Sequence, residues 1–197
     1  MRLSLVRWCW GFNRTAMQIK TLEISGIVPS LQAMRLPKAS QPHSWQHVQN
    51  YGYKTDHNGY YISQQIDSHI ANADLELAQR LVRAGDEHAK AIRGIIVWVE
   101  IVAPIYWWRE METYRAGRER LSCESTMHID CKGLTGEELV QAKAEIPMGK
   151  EQAAVDCYSY QCLRRIYHQR KNHRLPQWQE FCKWIESLPF APMLITC

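Results

Sequence analysis

Apolar positions recur along this chain with two different periods, and the change of period marks its elements. Residues 18–24 alternate through Ile19, Leu22 and Ile24 before Gly26, which predicts a strand. A short helix is expected from Pro29 to Leu36, stopped before Pro37. From Ala73 to Ala84 the spacing becomes helical, with Leu77, Leu81 and Ala84 on one face and Gly85 as the stop. Asp86 is a candidate cap for a second helix through Ile92. Ile95–Val102 is β-branched, nearly continuous and ended by Pro104, which makes it the strongest strand signal. Pro104 then suits the first turn of a helix running from Ile105 to about Arg115.

Thr135-Gly-Glu-Glu138 has the capping-box pattern and opens a helix to about Ile146. A long helix is expected over 151–172, bearing Val155, Tyr158, Cys162, Ile166 and Tyr167. A last helix starts at Pro176, carries Trp178, Phe181, Trp184, Ile185 and Leu188 on its apolar stripe, and stops before Pro189. Two stretches lack periodicity. Residues 37–72 read as a long loop whose tyrosines (Tyr51, Tyr53, Tyr60, Tyr61) suggest a cover or contact surface. Residues 116–133 read as a polar connection. No internal repeat is present. The outcome is an α+β chain, helix-dominant, with few strands.

Composition narrows the class without naming a function. The 197 residues are 46% hydrophobic and 22% charged, which excludes wholesale disorder and fibrous architecture, and such a length buries a core without disulfide staples. A net charge of +4 is a mild excess, far from a polybasic protein. The seven cysteines are odd in number and contain no Cys-x-x-Cys pair, which points to a reducing, cytoplasmic setting. Cys123 and Cys131 with His128 between them are at most part of a metal site, and reading them as packing residues is simpler. No stretch approaches the roughly 20 apolar residues of a membrane span. Residues 1–16 look unlike the rest of the chain, so they are read as an N-terminal extension on a single domain over 17–197, with Trp8 and Trp10 available to dock on the body. Trp is unusually frequent, at eight residues against three Phe.

The densest chemistry lies at 104–128. Arg115, Arg118 and Arg120 precede Ser122, Glu124, Ser125 and His128, a combination that forms a candidate phosphate-binding lip because guanidinium binds phosphate bidentately and hydroxyls add donors. The same run also reads as a solvated loop of Arg–Glu pairs. Trp107 and Trp108 read either as core or as a stacking platform. His128 and Glu124 are the nearby candidates for acid–base work, and Cys123 is a weaker candidate nucleophile. The basic run 164–174 at a helix end makes nucleic acid a partner to consider, though a less favoured one, since cations suit a helix C-terminus anyway.

The run Val97-Trp-Val-Glu-Ile-Val-Ala-Pro-Ile-Tyr-Trp-Trp-Arg-Glu-Met-Glu-Thr-Tyr-Arg-Ala-Gly, with Ser122-Cys-Glu-Ser-Thr-Met-His128 after it, resembles phage and prophage relatives of the flavin-dependent thymidylate synthases. Asp86–Arg93 and Trp178–Pro189 extend the similarity more weakly. Thr113-Tyr114-Arg115 stands where that family has Arg-His-Arg, and Ser125-Thr-Met127-His128 stands where it has Ser-x-Arg-Tyr. The chain also ends soon after Pro189, where the family continues into a helix with an arginine at the pyrimidine site.

The resemblance implies a small, mostly antiparallel sheet among helices. It implies FAD as cofactor, with Arg115 at flavin or nucleotide phosphate and Glu110 at the family's polar helix position; Trp108 as a stacking ring and Arg118 of the phosphate lip join them as candidate cofactor-side residues. It places Ser125 beside a nucleotide such as dUMP, and Ser122, Glu124 and His128 of the same run join it as candidate nucleotide-side residues. It implies a homodimer or homotetramer as well, because the family's flavin sites lie between subunits. No catalytic residue is assigned. If active, the protein would be a methyltransferase or oxidoreductase of that type, and the departures from the motifs leave an enzyme and a former enzyme both open. The competing expectation is a non-catalytic phage accessory protein that binds a host protein or a nucleotide signal, such as an inhibitor of host defence acting in the host cytoplasm.

Overall fold

The structure is a computed structural model that describes residues 17–49 and 65–197. The expected extension 1–16 and the tyrosines Tyr51, Tyr53, Tyr60 and Tyr61 lie outside the described residues.

Four strands form the main sheet: β1 (Gln18–Ser25), β4 (Ile96–Pro104), β5 (Arg118–Cys123) and β6 (Glu151–Ser159). Their order is β1-β4-β6-β5 and every neighbouring pair is antiparallel. A separate hairpin joins β2 (Trp45–Gln49) to β3 (Gln65–His69), with Trp45 opposite His69. Among the described residues the helices are α1 (Ile27–Ala33), α2 (Asn72–Arg83), α3 (Ile105–Met111), α4 (Thr126–Ile129), α5 (Gly136–Ala144), α6 (Tyr160–Arg170), α7 (Pro176–Glu186) and α8 (Ala191–Leu194). The α+β class with a small antiparallel sheet is therefore what the chain adopts.

One face of the sheet is the core face. Val97, Val99, Ile101 and Ala103 of β4 line up with Ala154, Asp156 and Tyr158 of β6 and are buried. Over them lie Trp107, Trp178 and Phe181, with ring centroids 5.0 and 5.5 Å from Trp107 to the other two and 5.9 Å from Phe181 to Tyr158. Burying each such side chain contributes roughly 1.5–3 kcal/mol, so this aromatic layer fixes α3 and α7 on the sheet. The other face, with Trp98, Val102 and Val155, is only half-buried. An antiparallel sheet commonly leaves one face accessible in this way.

Several expected elements differ. The helix expected over 151–172 is a strand to Ser159 and a helix only from Tyr160, where Ser159 Oγ accepts the Cys162 amide at 3.2 Å as N-cap. The polar connection 116–133 contains β5 and the short α4. The helix from Ile105 ends at Met111. In place of a helix capped by Asp86 there is a turn followed by a 3₁₀ turn over Lys90–Gly94. The buried face of α2 is Leu75, Ala78 and Val82, one step round from the expected Leu77 stripe. The long loop 37–72 holds the β2–β3 hairpin.

Candidate functional site

The two ends of the sheet differ in chemistry. At one end β5 begins at Arg118, β6 finishes at Ser159, and β4 begins at Ile96. The turn into β5 needs Gly117, whose φ is 80°. A Cβ there would meet Ser159 Oγ at 2.5 Å, so the turn and the start of α6 are locked together. Around this junction lies a cavity of about 670 Å³ lined by Arg93, Arg115, Arg118 and Arg165, with Asp86 and Glu119 as its acids and Cys157, Ser159 and Cys162 on its wall. A second hollow of about 350 Å³ adjoins it, sharing Arg115, Ala116 and Arg165.

Four arginines therefore line one cavity beside the N-terminus of α6, where the helix dipole also favours an anion. They are not equivalent. Arg93 Nε donates to Gln161 Oε1 at 2.5 Å, Arg165 Nη2 donates to the Ala116 carbonyl at 2.7 Å, and both remain exposed. Arg115 is exposed; its carbonyl accepts the Arg118 amide at 3.4 Å, and its guanidinium has no hydrogen-bond partner among the described residues. Arg118 is buried and committed elsewhere.

That commitment is a charged network on the core face. Asp156 is fully buried and takes Arg118 Nε and Nη2, each at 2.6 Å, on one oxygen, and Arg120 Nε at 3.0 Å on the other. Tyr158 Oη donates to the same carboxylate at 2.9 Å. Glu112 pairs with Arg118 at 3.3 Å and with Arg120 at 3.1 Å. Burial works against a charged Arg118, but Tyr158, Asp156 and Glu112 outweigh it and raise its pKa. Burial likewise raises the Glu112 pKa by itself, yet the pairing with Arg118 and Arg120 brings it below the usual value. Burial pushes the Tyr158 phenol well up, so it stays protonated.

The expected site residues separate into groups. Arg115 and Arg118 reach the cavity wall. Trp108 is buried; the Arg120 guanidinium lies 4.2 Å from its ring centroid, and its Nε1 donates to the Gln152 carbonyl at 2.9 Å. Glu110 accepts from Trp178 Nε1 at 2.8 Å and Arg170 Nη1 at 3.1 Å, tying α3 to α6 and α7. Ser122, Glu124, Ser125 and His128 sit at the far end of β5, about 17 Å away along the strand from Arg118. There Ser125 Oγ and His128 Nδ1 are 2.9 Å apart on an exposed turn, and Glu124 Oε2 accepts the Ala153 amide at 3.0 Å.

Arg93, Arg165, Asp156 and Ser159 do not stand out in the sequence as site residues. Arg165 reads there as part of a basic helix end, and a Ser three residues after a buried Asp is a cap signal only once β6 is recognised. Cys157 and Cys162 line the cavity with thiol pKa values raised chiefly by burial, which favours the neutral form. Among the described residues no three His, Cys, Asp or Glu side chains are placed to hold a metal, and no helix is long and apolar enough to cross a membrane. The six cysteines of the described residues are free.

Neither a family model nor a curated protein matches the chain. Solved structures do. A flavin-dependent thymidylate synthase ThyX from Helicobacter pylori, complexed with FAD and dUMP, superposes with a TM-score of 0.64 at 13% identity over 91% of this chain and 98% of that one. The fold is that of the flavin-dependent thymidylate synthases. A UMP/dUMP methylase, PolB from Streptomyces cacaoi, bound with 5-Br dUMP, shares this thymidylate-synthase-like fold with a TM-score of 0.58 at 11% identity over 90% of this chain and 93% of that chain.

Proposed function

We propose that the protein binds a phosphate-bearing nucleotide, FAD or a pyrimidine nucleotide such as dUMP or both, in the arginine-lined cavity at the Arg118–Ser159 end of its sheet. The observation that carries this reading is the convergence of Arg93, Arg115 and Arg165 on one cavity at the start of α6. Solved structures of the same fold hold FAD, dUMP or 5-Br dUMP. The donor set fits the anionic part of such ligands: exposed guanidiniums bind phosphate oxygens and the α6 N-terminus favours negative charge. Arg93, Arg115 and Arg165 would hold the phosphates, while Arg118, neutralised by Asp156, would shape the wall. Bound flavin would supply redox chemistry that no side chain offers.

The proposal is one of binding and assigns no methyl-transfer residue. Ser125, His128 and Glu124 stand at the opposite end of β5, and the cavity's thiols are held neutral. A homodimer or homotetramer in the cytoplasm belongs to the same reading. The half-buried face bearing Trp98, Val102 and Val155 supports it, because Ile96, Glu119 and Cys157 of that face also line the cavity, so a second subunit there would close it. A second reading, a phage-encoded accessory protein that takes a nucleotide signal or a host protein and blocks host defence without catalysis, shares the cavity. It is favoured by the placing of Ser125, His128 and Glu124, the candidate acid–base and nucleotide-side groups, at the far end of β5 from the cavity.

The test is the visible spectrum of the purified protein with a thermal-shift titration of FAD and dUMP. A flavin band or a rise in melting temperature with either ligand is expected. A colourless protein unmoved by both contradicts the proposal. Formation of dTMP from dUMP separates the enzymatic from the accessory reading.

A further inference from the structure

The excursion 124–150 between β5 and β6 is poorly buried. Its helix α5 buries none of its nine residues, and an isolated helix of that length is marginal in water. Four of its apolar side chains face outward: Val140 is 69% and Ile129 58% exposed, with Met127 and Met148 also exposed, while Leu134, Leu139 and Ile146 are half-buried. The two helices are braced by Lys143 to Thr126, and Asp130 is paired with Lys150. Glu137, Glu138 and Glu145 have no ion-pair partner among the described residues, and they line one shallow hollow on α5. Exposed apolar side chains and acids without an ion-pair partner thus share one excursion, on different faces of α5, and a basic, apolar segment would fit both.

The chain carries such a segment. Residues 1–16 hold Arg2, Arg7 and Arg14 with no acidic residue, and the large apolar side chains Leu3, Leu5, Val6, Trp8, Trp10 and Phe12. The topology also brings it to the right place. Gln18 opposes Val102, Pro104 opposes Glu151, and Cys123 opposes Ala154, so the chain leaves Met17 at the same end of the sheet as the excursion. Three strand spacings, about 14 Å, separate β1 from β5 there. Sixteen residues reach up to about 50 Å when extended, so the span is no obstacle.

We infer that residues 1–16 dock on the α4–α5 surface of their own chain, their arginines facing Glu137, Glu138 and Glu145 and their aromatic residues covering Val140 and Ile129. This surface lies at the sheet end opposite the nucleotide cavity and does not depend on it.

The test uses the full-length protein in three charge variants: Arg2, Arg7 and Arg14→Glu together; Glu137, Glu138 and Glu145→Lys together; and the two sets combined. Amide hydrogen exchange of residues 136–144 is read alongside solution mass. At least ten-fold faster exchange is expected in each single set, with protection restored in the combined swap and the mass unchanged. Equal exchange in all forms overturns the inference. Protection that rises with protein concentration and mass also overturns it, because a second copy would then be the occupant. Val140→Glu checks the apolar part; it leaves the core untouched and should speed exchange of α5, whereas no change counts against docking.

Discussion

Asp156 decides the local structure of the inner sheet face. It is fully buried, and its two oxygens receive Arg118, Arg120 and Tyr158. Taking a charge out of water is tolerable only when it is paired and hydrogen-bonded, and here both carboxylate oxygens are taken, although Arg120 Nη2 is buried without a partner among the described residues. Asp156→Ala leaves buried Arg118 with Glu112 as its remaining carboxylate and the Met111 carbonyl as an acceptor, so a stability loss of about 3–5 kcal/mol is expected in urea unfolding. Replacing both partners with apolar residues, Arg118→Met with Asp156→Leu, should lose less than the single change. If the double variant is the less stable of the two, the network is more than a satisfied charge pair. The same residues explain which parts of the sequence are hard to read. Strands β5 and β6 alternate inward and outward, but three of their inward positions are Arg118, Arg120 and Asp156, so the apolar alternation that marks a half-buried strand is missing. β4, whose inward positions are all apolar, is legible at once.

At the scale of elements, the β2–β3 hairpin is tied to the body through one carboxylate. Asp74 in the first turn of α2 is buried and accepts Arg35 Nε at 2.8 Å, the His43 amide at 3.0 Å and the Ser44 amide at 2.6 Å, while Ser44 Oγ takes the Ala71 amide at 3.1 Å. Burial would raise the Asp74 pKa, but hydrogen bonds from Ser44, Arg35 and His43 outweigh it and hold it below the usual carboxylate value. A folded pKa below the unfolded one means stability that is present above the unfolded value near about 4 and lost as pH falls through the folded value. Between pH 6 and pH 3 the urea midpoint of the unaltered protein should therefore fall more than that of Asp74→Asn. Parallel curves would show that Asp74 is not depressed. Nothing in the sequence separates this aspartate from its neighbour Glu76, because its partners come from residues 30 to 39 positions earlier.

Across the whole molecule, the sheet works as a beam with different chemistry at its ends. The Arg118–Ser159 end holds four arginines, the helix start and the cavity; the Cys123–Glu151 end holds the exposed excursion with Ser125 and His128. The fold class and the strand–helix unit from Ile95 are readable in the sequence, because they rest on local pattern. The cavity is not, since Arg93, Arg115 and Arg165 come from three separate stretches that meet only after β4, β5 and β6 pair.

Nucleotide phosphate held by these arginines, as proposed, would show in calorimetric titration of FAD and dUMP into the unaltered protein, Arg115→Met and Arg165→Met. Each charge-assisted contact contributes about 1.5–3 kcal/mol, so each substitution should weaken binding by roughly 10- to 100-fold while the folded protein's melting temperature without ligand stays within a few degrees. Equal affinity in all three proteins, or no binding by the unaltered one, would contradict the assignment of the cavity.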